Sequence, residues 1–119
     1  MTDPKDWPKN RELWIAALRD PKRRQIKGEL GHQDKDGQCC LGVLAEIAGC
    51  EFTRAGRYCY WGTHTNNAPP CAMDFVGLRY QNGEYFGSSL VKDNDQYDKT
   101  FAEIADIIEE EPVGMFRDA

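Results

Sequence analysis

The sequence predicts an α+β domain of about three main helices packed on a small antiparallel sheet, and three local patterns carry that prediction. Cys39-Cys40-Leu41-Gly42-Val43-Leu44-Ala45-Glu46-Ile47-Ala48 holds a single charge, and its apolar positions cover most of a helical circumference, as in a buried central helix. Thr100 and Glu103 stand at capping-box spacing ahead of Phe101, Ile104, Ala105 and Ile108, which recur at the helical period. Asn82-Gly83 lies between Leu78-Arg79-Tyr80-Gln81 and Glu84-Tyr85-Phe86, and this dipeptide tolerates positive φ at both positions of a two-residue turn, so a hairpin is expected at 78–86. Helices and hairpins do not alternate as parallel βαβ units require.

The remaining elements follow in chain order. A first helix is expected over 10–19, with Leu13, Ala17 and Trp14, Leu18 at four-residue spacing, and Asp20-Pro21 ends it. Residues 24–30 read as a short strand with Ile26 and Leu30 on one face, weakened by Gly28. A polar loop follows over 31–37. Gly49 is the expected stop of the central helix, because glycine adopts the left-handed conformation without penalty. Residues 57–61 are the one strand signal before a loop at 62–70, and 70–76 reads as a short helix. Ser88 or Ser89 caps a short helix that ends in Asp93-Asn94-Asp95. Pro112 closes the last helix, leaving a tail at 112–119 in which Met115 and Phe116 either dock on the core or await a partner.

No repeat, low-complexity tract or long linker interrupts the 119 residues, so a single domain over 1–119 is expected. A composition that is 40% hydrophobic and 29% charged, with a mean hydropathy of −0.69, belongs to a globular chain. No apolar run approaches the roughly 18 to 20 residues of a membrane span. The first residues show neither an apolar stretch nor a cleavage site, so a cytoplasmic location is expected. Five cysteines, two of them adjacent, cannot all pair within one chain, and reduced thiols are the simpler reading.

Charge is distributed unevenly along the chain. The net charge is −5, with +2 on residues 1–60 and −7 on residues 61–119. A general nucleic-acid binder needs the opposite balance, so nucleic acid is not the expected partner. The one basic segment, Arg19, Lys22, Arg23, Arg24 and Lys27, reads as a solvated linker or as a phosphate site. In the second case Arg23, Arg24 and Lys27 would hold the phosphates of a nucleotide. Tyr58, Tyr60 and Trp61 are the aromatic candidates for a ligand-binding surface, since such side chains join a large contact area to a polar tip.

Cys39 or Cys40 at a helix start is the sharpest candidate for chemistry. Free N–H groups and the helix dipole favour a thiolate there, and His32 or His64 would supply the base of a cysteine-dependent hydrolase or transferase. Gly37-Gln38-Cys39-Cys40 alone resembles the papain-like hydrolases, which also begin a central helix with their nucleophile. The competing reading makes both cysteines small buried hydrophobes. No metal is expected, because zinc knuckles are absent and Cys59 with His64 is the only close soft pair. Asp34-Lys35-Asp36-Gly37 and Asp93-Asn94-Asp95 lack the bidentate glutamate of a calcium loop and read as turns. No glycine-rich phosphate cradle or nucleophile elbow is present, and no cofactor is expected.

Four segments together carry a wider resemblance: Trp14-Ile15-Ala16-Ala17-Leu18-Arg19; Lys27-Gly28-Glu29-Leu30; Cys39-Cys40-Leu41-Gly42-Val43-Leu44; and Asn94-Asp95 with Thr100-Phe101-Ala102-Glu103-Ile104-Ala105-Asp106-Ile107-Ile108. Over residues 10–111 the chain resembles a widespread group of small proteins of tailed bacteriophages and prophages. The resemblance implies a phage origin and a bacterial-cytosol setting, and it assigns no catalytic residue. The chain departs from the pattern around 50–70, where a partner-specific surface would lie. With the small size and the missing catalytic motifs, the expectation is a non-enzymatic accessory protein that binds a host protein or a small ligand. Counteracting a bacterial defence is one purpose such binding serves.

Overall fold

The computed structural model describes residues 2–28, 31–32, 37–50, 52–55, 58–61 and 67–118; for 31–32, 52–55 and 58–61 the description concerns the backbone. Asp3 caps a 3-10 turn, Pro4–Asp6, its carboxylate accepting from the Lys5 N–H at 3.0 Å. Helix α1 follows over Trp7–Leu18. It starts earlier than the predicted residue 10 because Pro8 fits the first turn, where its missing N–H has no partner to lose.

Side chains of α1 settle its rotation. Helix α3, Pro70–Val76, ends on three carbonyls that lack intrahelical partners. Trp7 Nε1 donates to Asp74 O at 2.9 Å, Asn10 Nδ2 to Phe75 O at 2.7 Å and Arg11 Nε to Val76 O at 2.8 Å. With Trp7, Asn10, Trp14 and Leu18 therefore turned inward, Leu13 is 51% exposed and does not join the core face predicted for it. Gly77 terminates α3 at φ 72°, and a Cβ there would lie 2.5 Å from the Trp7 ring. Only glycine satisfies both conditions.

Helix α2, Cys40–Ile47, is the buried element expected, with residues 40–45 all buried. Gly49, at φ 72°, ends it: Gly49 N–H bonds Glu46 O and Cys50 N–H bonds Ala45 O, both at 3.1 Å. Strands β1 (Gly31–His32), β2 (Gly37–Gln38), β3 (Phe52–Ala55) and β4 (Tyr58–Trp61) form an antiparallel sheet in the order β2-β1-β4-β3. Part of the predicted 31–37 loop is therefore strand. The predicted 24–30 strand reduces to a parallel bridge from Gln25 to Gln38, and Gly28 at φ 78° turns the chain away. Glu29 and Leu30 lie outside the described residues.

The hairpin ladder sits one turn beyond the place predicted at 78–86. Strands β5, Glu84–Tyr85, and β6, Ser88–Ser89, pair across Phe86-Gly87, whereas Leu78 bridges Phe116 in the tail. Hydrogen bonding explains the shift. Asn82 O and Gly83 O accept from Val91 N–H and Leu90 N–H at 3.2 Å, so the Asn-Gly turn satisfies the start of helix α4, Leu90–Asp95, instead of closing a hairpin. Ser89 supplies the α4 cap, accepting from the Lys92 N–H.

Helix α5, Phe101–Glu109, carries the reciprocal Thr100–Glu103 capping box and buries Phe101, Ile104, Ala105 and Ile108. It packs mainly on α1. The tail docks: Arg79 N–H bonds Met115 O and Arg117 N–H bonds Gly77 O, and Met115 is fully buried. The Arg11 guanidinium lies 4.0 Å from the Phe116 ring centroid and pairs with Glu111 at 2.6 Å. One contiguous core joins α1, α2, α3, Leu78, Leu90, α5 and Met115, and the class is α+β. Among the described residues no helix is long and apolar enough to cross a membrane.

Candidate functional site

Cys39 is the N-cap of α2 and Cys40 its first residue, the place where a helix end would acidify a thiol. Burial decides otherwise. Cys39 is 5% exposed and Cys40 fully buried. Desolvation pushes the Cys39 thiol up to about 12 despite backbone N–H groups of Gly42 and Leu41 that act the other way. It also pushes the Cys40 thiol well above its ordinary value, helped by the neighbouring Cys39. Both sulfurs are protonated at neutral pH, and the Cys40 thiol donates to Leu90 O at 3.7 Å. His32 pairs through its backbone with Gly37 and Tyr58, and His64 lies outside the described residues.

A buried polar brace surrounds this helix start. Asn94, 1% exposed, accepts from Gln25 Nε2 at 2.8 Å and from the Cys40 N–H at 3.3 Å, and donates to Ile26 O and to Asp95 Oδ1, both at 2.8 Å. Gln25 continues the network to Lys99 O at 2.8 Å and to the Phe101 N–H at 3.1 Å. Asp95 takes the Gly28 N–H at 2.9 Å. The Asn-Asp pair that reads as turn chemistry in the sequence thus fastens residues 25–28, α2 and α5 to one another.

The basic segment is dispersed into separate contacts. Arg19 pairs with Asp106 at 2.7 Å and Glu109 at 3.3 Å. Arg23 reaches Gln38 at 3.2 Å and Glu46 at 3.5 Å, Lys27 pairs with Asp98, and Arg24 is exposed. Tyr58, Tyr60 and Trp61 sit on β4, in register with Ala55, Thr53 and Phe52 of β3.

Three exposed large apolar side chains, two of them the most exposed among the described residues, meet elsewhere. Phe86 is 89% exposed, Val113 81% and Tyr80 48%, and all three line a groove of about 490 Å³ together with Glu84, Tyr85 and Lys92. Its geometry is firmly held. Gly87, at φ 95°, supplies the turn that projects Phe86, and the Phe86 N–H bonds Val113 O at 2.9 Å. Below the groove, Tyr85 Oη donates to Asp93 Oδ2 at 2.5 Å and Ser88 Oγ to Asp93 Oδ1 at 2.9 Å. Burial and the Asp93 contact push the Tyr85 phenol up to about 12. Both Asp93 oxygens are engaged by hydroxyl donors, so this carboxylate anchors the hairpin and is not placed as a base.

Sequence reasoning assigned Phe86 to a strand and Val113 to a tail, so it did not single out this groove. Phe86 before Gly87 was the available signal, a turn dipeptide after a strand-forming pair. Among the described residues, no three His, Cys, Asp or Glu side chains gather as a metal-binding group. No protein-family model matches this chain, and comparisons with curated proteins and with solved structures likewise find no match.

Proposed function

We propose that this chain is a phage-type accessory protein that acts in the bacterial cytosol by binding a host protein through the Tyr80–Phe86–Val113 groove. The observation that carries this reading is the pairing of two highly exposed apolar side chains, Phe86 and Val113, across a backbone hydrogen bond. Large apolar groups held together in water on a rigid frame are what an interface anchor requires. The acidic balance of residues 61–119 favours a partner with an apolar contact centre and a basic rim. The sequence resemblance to tailed-phage proteins supports the setting, and counteracting a bacterial defence is the purpose such binding would serve.

The test identifies host proteins retained by the immobilised chain, then measures the purified candidate by isothermal titration. Phe86→Asp and Val113→Asp should each weaken binding at least tenfold, about 1.4 kcal/mol, with thermal unfolding within about 2 °C of wild type, since both side chains are exposed. Undiminished binding by both variants would overturn the assignment of this groove. Turnover of a substrate that is lost in a folded Cys40→Ala variant would overturn the binding reading itself.

A further inference from the structure

The link between α5 and the docked tail is strained. Glu111 leaves α5 at φ 47°, in the left-handed region where a side chain crowds the following carbonyl. Pro112 comes next, and a proline pushes the residue before it toward an extended backbone. Glu111 thus departs from two preferences at once. It is held there by the Arg11 guanidinium at 2.6 Å, itself fixed to Val76 O at 2.8 Å and stacked on Phe116. Beyond this hinge the tail fills a well-defined seat. Leu78 and Phe116 form an antiparallel bridge, flanked by the bonds from Arg79 N–H to Met115 O at 2.9 Å and from Arg117 N–H to Gly77 O at 2.8 Å. Met115 is fully buried, and Val113 O takes the Phe86 N–H at 2.9 Å.

We propose that the tail, residues 112–117, exchanges between two copies of this chain, so that each seat is filled by the other copy's tail and each Phe86 groove is completed by the second copy's Val113. Identical copies offer identical seats, so the contacts of the seat are remade on exchange and the hinge is what differs. A tail that only lifted off would strand Gly77 O and the N–H groups of Arg79 and Phe86, and would leave a hole at Met115. A second copy's tail repairs all of these. An extended Glu111 is the relaxed form before a proline, and it carries the tail away from its own core toward a neighbour. Strain at the hinge therefore favours the exchanged form, and mass action draws it out as concentration rises. The exchange itself stands on the hinge and the seat; its consequence for host binding rests on the groove being the binding surface.

The full chain is followed by size-exclusion chromatography with light scattering from micromolar to millimolar concentration, where a dimer that grows with concentration is expected. Glu111→Gly removes the left-handed penalty and should weaken the dimer about tenfold. Pro112→Ala, which keeps the Arg11 pair and lifts the restriction on Glu111, should shift it in the same direction. Phe86→Cys with Val113→Cys places two thiols at exposed positions joined by one backbone hydrogen bond. Dimers of this variant, assembled from mixed light and isotopically heavy chains and then oxidised, should yield 86–113 linked peptides of hybrid mass. A chain that stays monomeric throughout, a dimer whose linked peptides are never hybrid, or a dimer unchanged by either hinge variant would overturn the proposal. The host protein takes no part in these measurements, so a failed groove assignment shows separately, in the titrations of Phe86→Asp and Val113→Asp.

Discussion

Two pairs of cysteines occupy helix ends of this fold, and their surroundings set them apart. Cys39 and Cys40 begin α2 inside the core, under the Asn94 brace and beside Trp14, whose indole donates to Cys40 O at 3.1 Å. Cys50 follows the end of α2 and is partly buried, whereas Cys71 lies in the first turn of α3 and is open to solvent. The first pair has the helix start in its favour, and of the second only Cys71 has water. Desolvation outweighs the dipole, because a buried thiolate loses more hydration than a few N–H contacts return. Position on a helix therefore says less about a thiol than what covers it.

The strongest way to break this contrast is to open the brace. Asn94→Leu strands the Cys40 N–H, Ile26 O and Gln25 in a dry interior, and should cost roughly 3 to 5 kcal/mol in urea unfolding. The same variant should let iodoacetamide reach Cys40 without denaturant, which the wild type should resist. Next in size, Cys40→Ser places a hydroxyl where the carbonyl of Leu90 lies 3.7 Å from the sulfur, too far for a good O–H bond. A loss of roughly 1 to 3 kcal/mol is expected from the same measurement.

Alkaline pH sharpens the comparison further. In the unfolded chain a thiol ionises near its ordinary value of 9.0, whereas folded Cys39 holds its proton to about 12. Over that interval the unfolded state binds fewer protons, so stability is complete below about pH 9 and falls as pH rises toward 12. The slope should approach about 1.4 kcal/mol per pH unit for each buried thiol. Urea midpoints on both sides of pH 9 should diverge less in Cys39→Ala than in the wild type. The smallest effect belongs to the surface: Cys71→Ser should change stability by less than about 0.5 kcal/mol in urea unfolding, since this side chain is exposed.

Much of the fold was legible locally. The α2 segment and its Gly49 stop, the Thr100–Glu103 box, the Ser89 cap and the short helix from Pro70 each rest on interactions among residues a few positions apart, and each formed as predicted. The Asn82-Gly83 turn was legible as a turn but not as the element that caps α4. Leu13 obeyed the helical period and still faced out, because the carbonyls of α3 recruited Trp7, Asn10 and Arg11. Cys39 and Cys40 were correctly placed at a helix start, yet the depth that silences them comes from Leu90, Asn94 and Trp14, far along the chain.

By itself the sequence determined the helices, their caps and stops, the α+β class and the inwardness of residues 40–45, since apolar periodicity and capping act over one or two turns. Tertiary structure alone decided that Asn94 would stitch three segments and that Phe86 and Val113 would share a groove. Those outcomes depend on which distant groups satisfy each buried N–H and C=O and on what is left uncovered, and no local window of the chain contains that information.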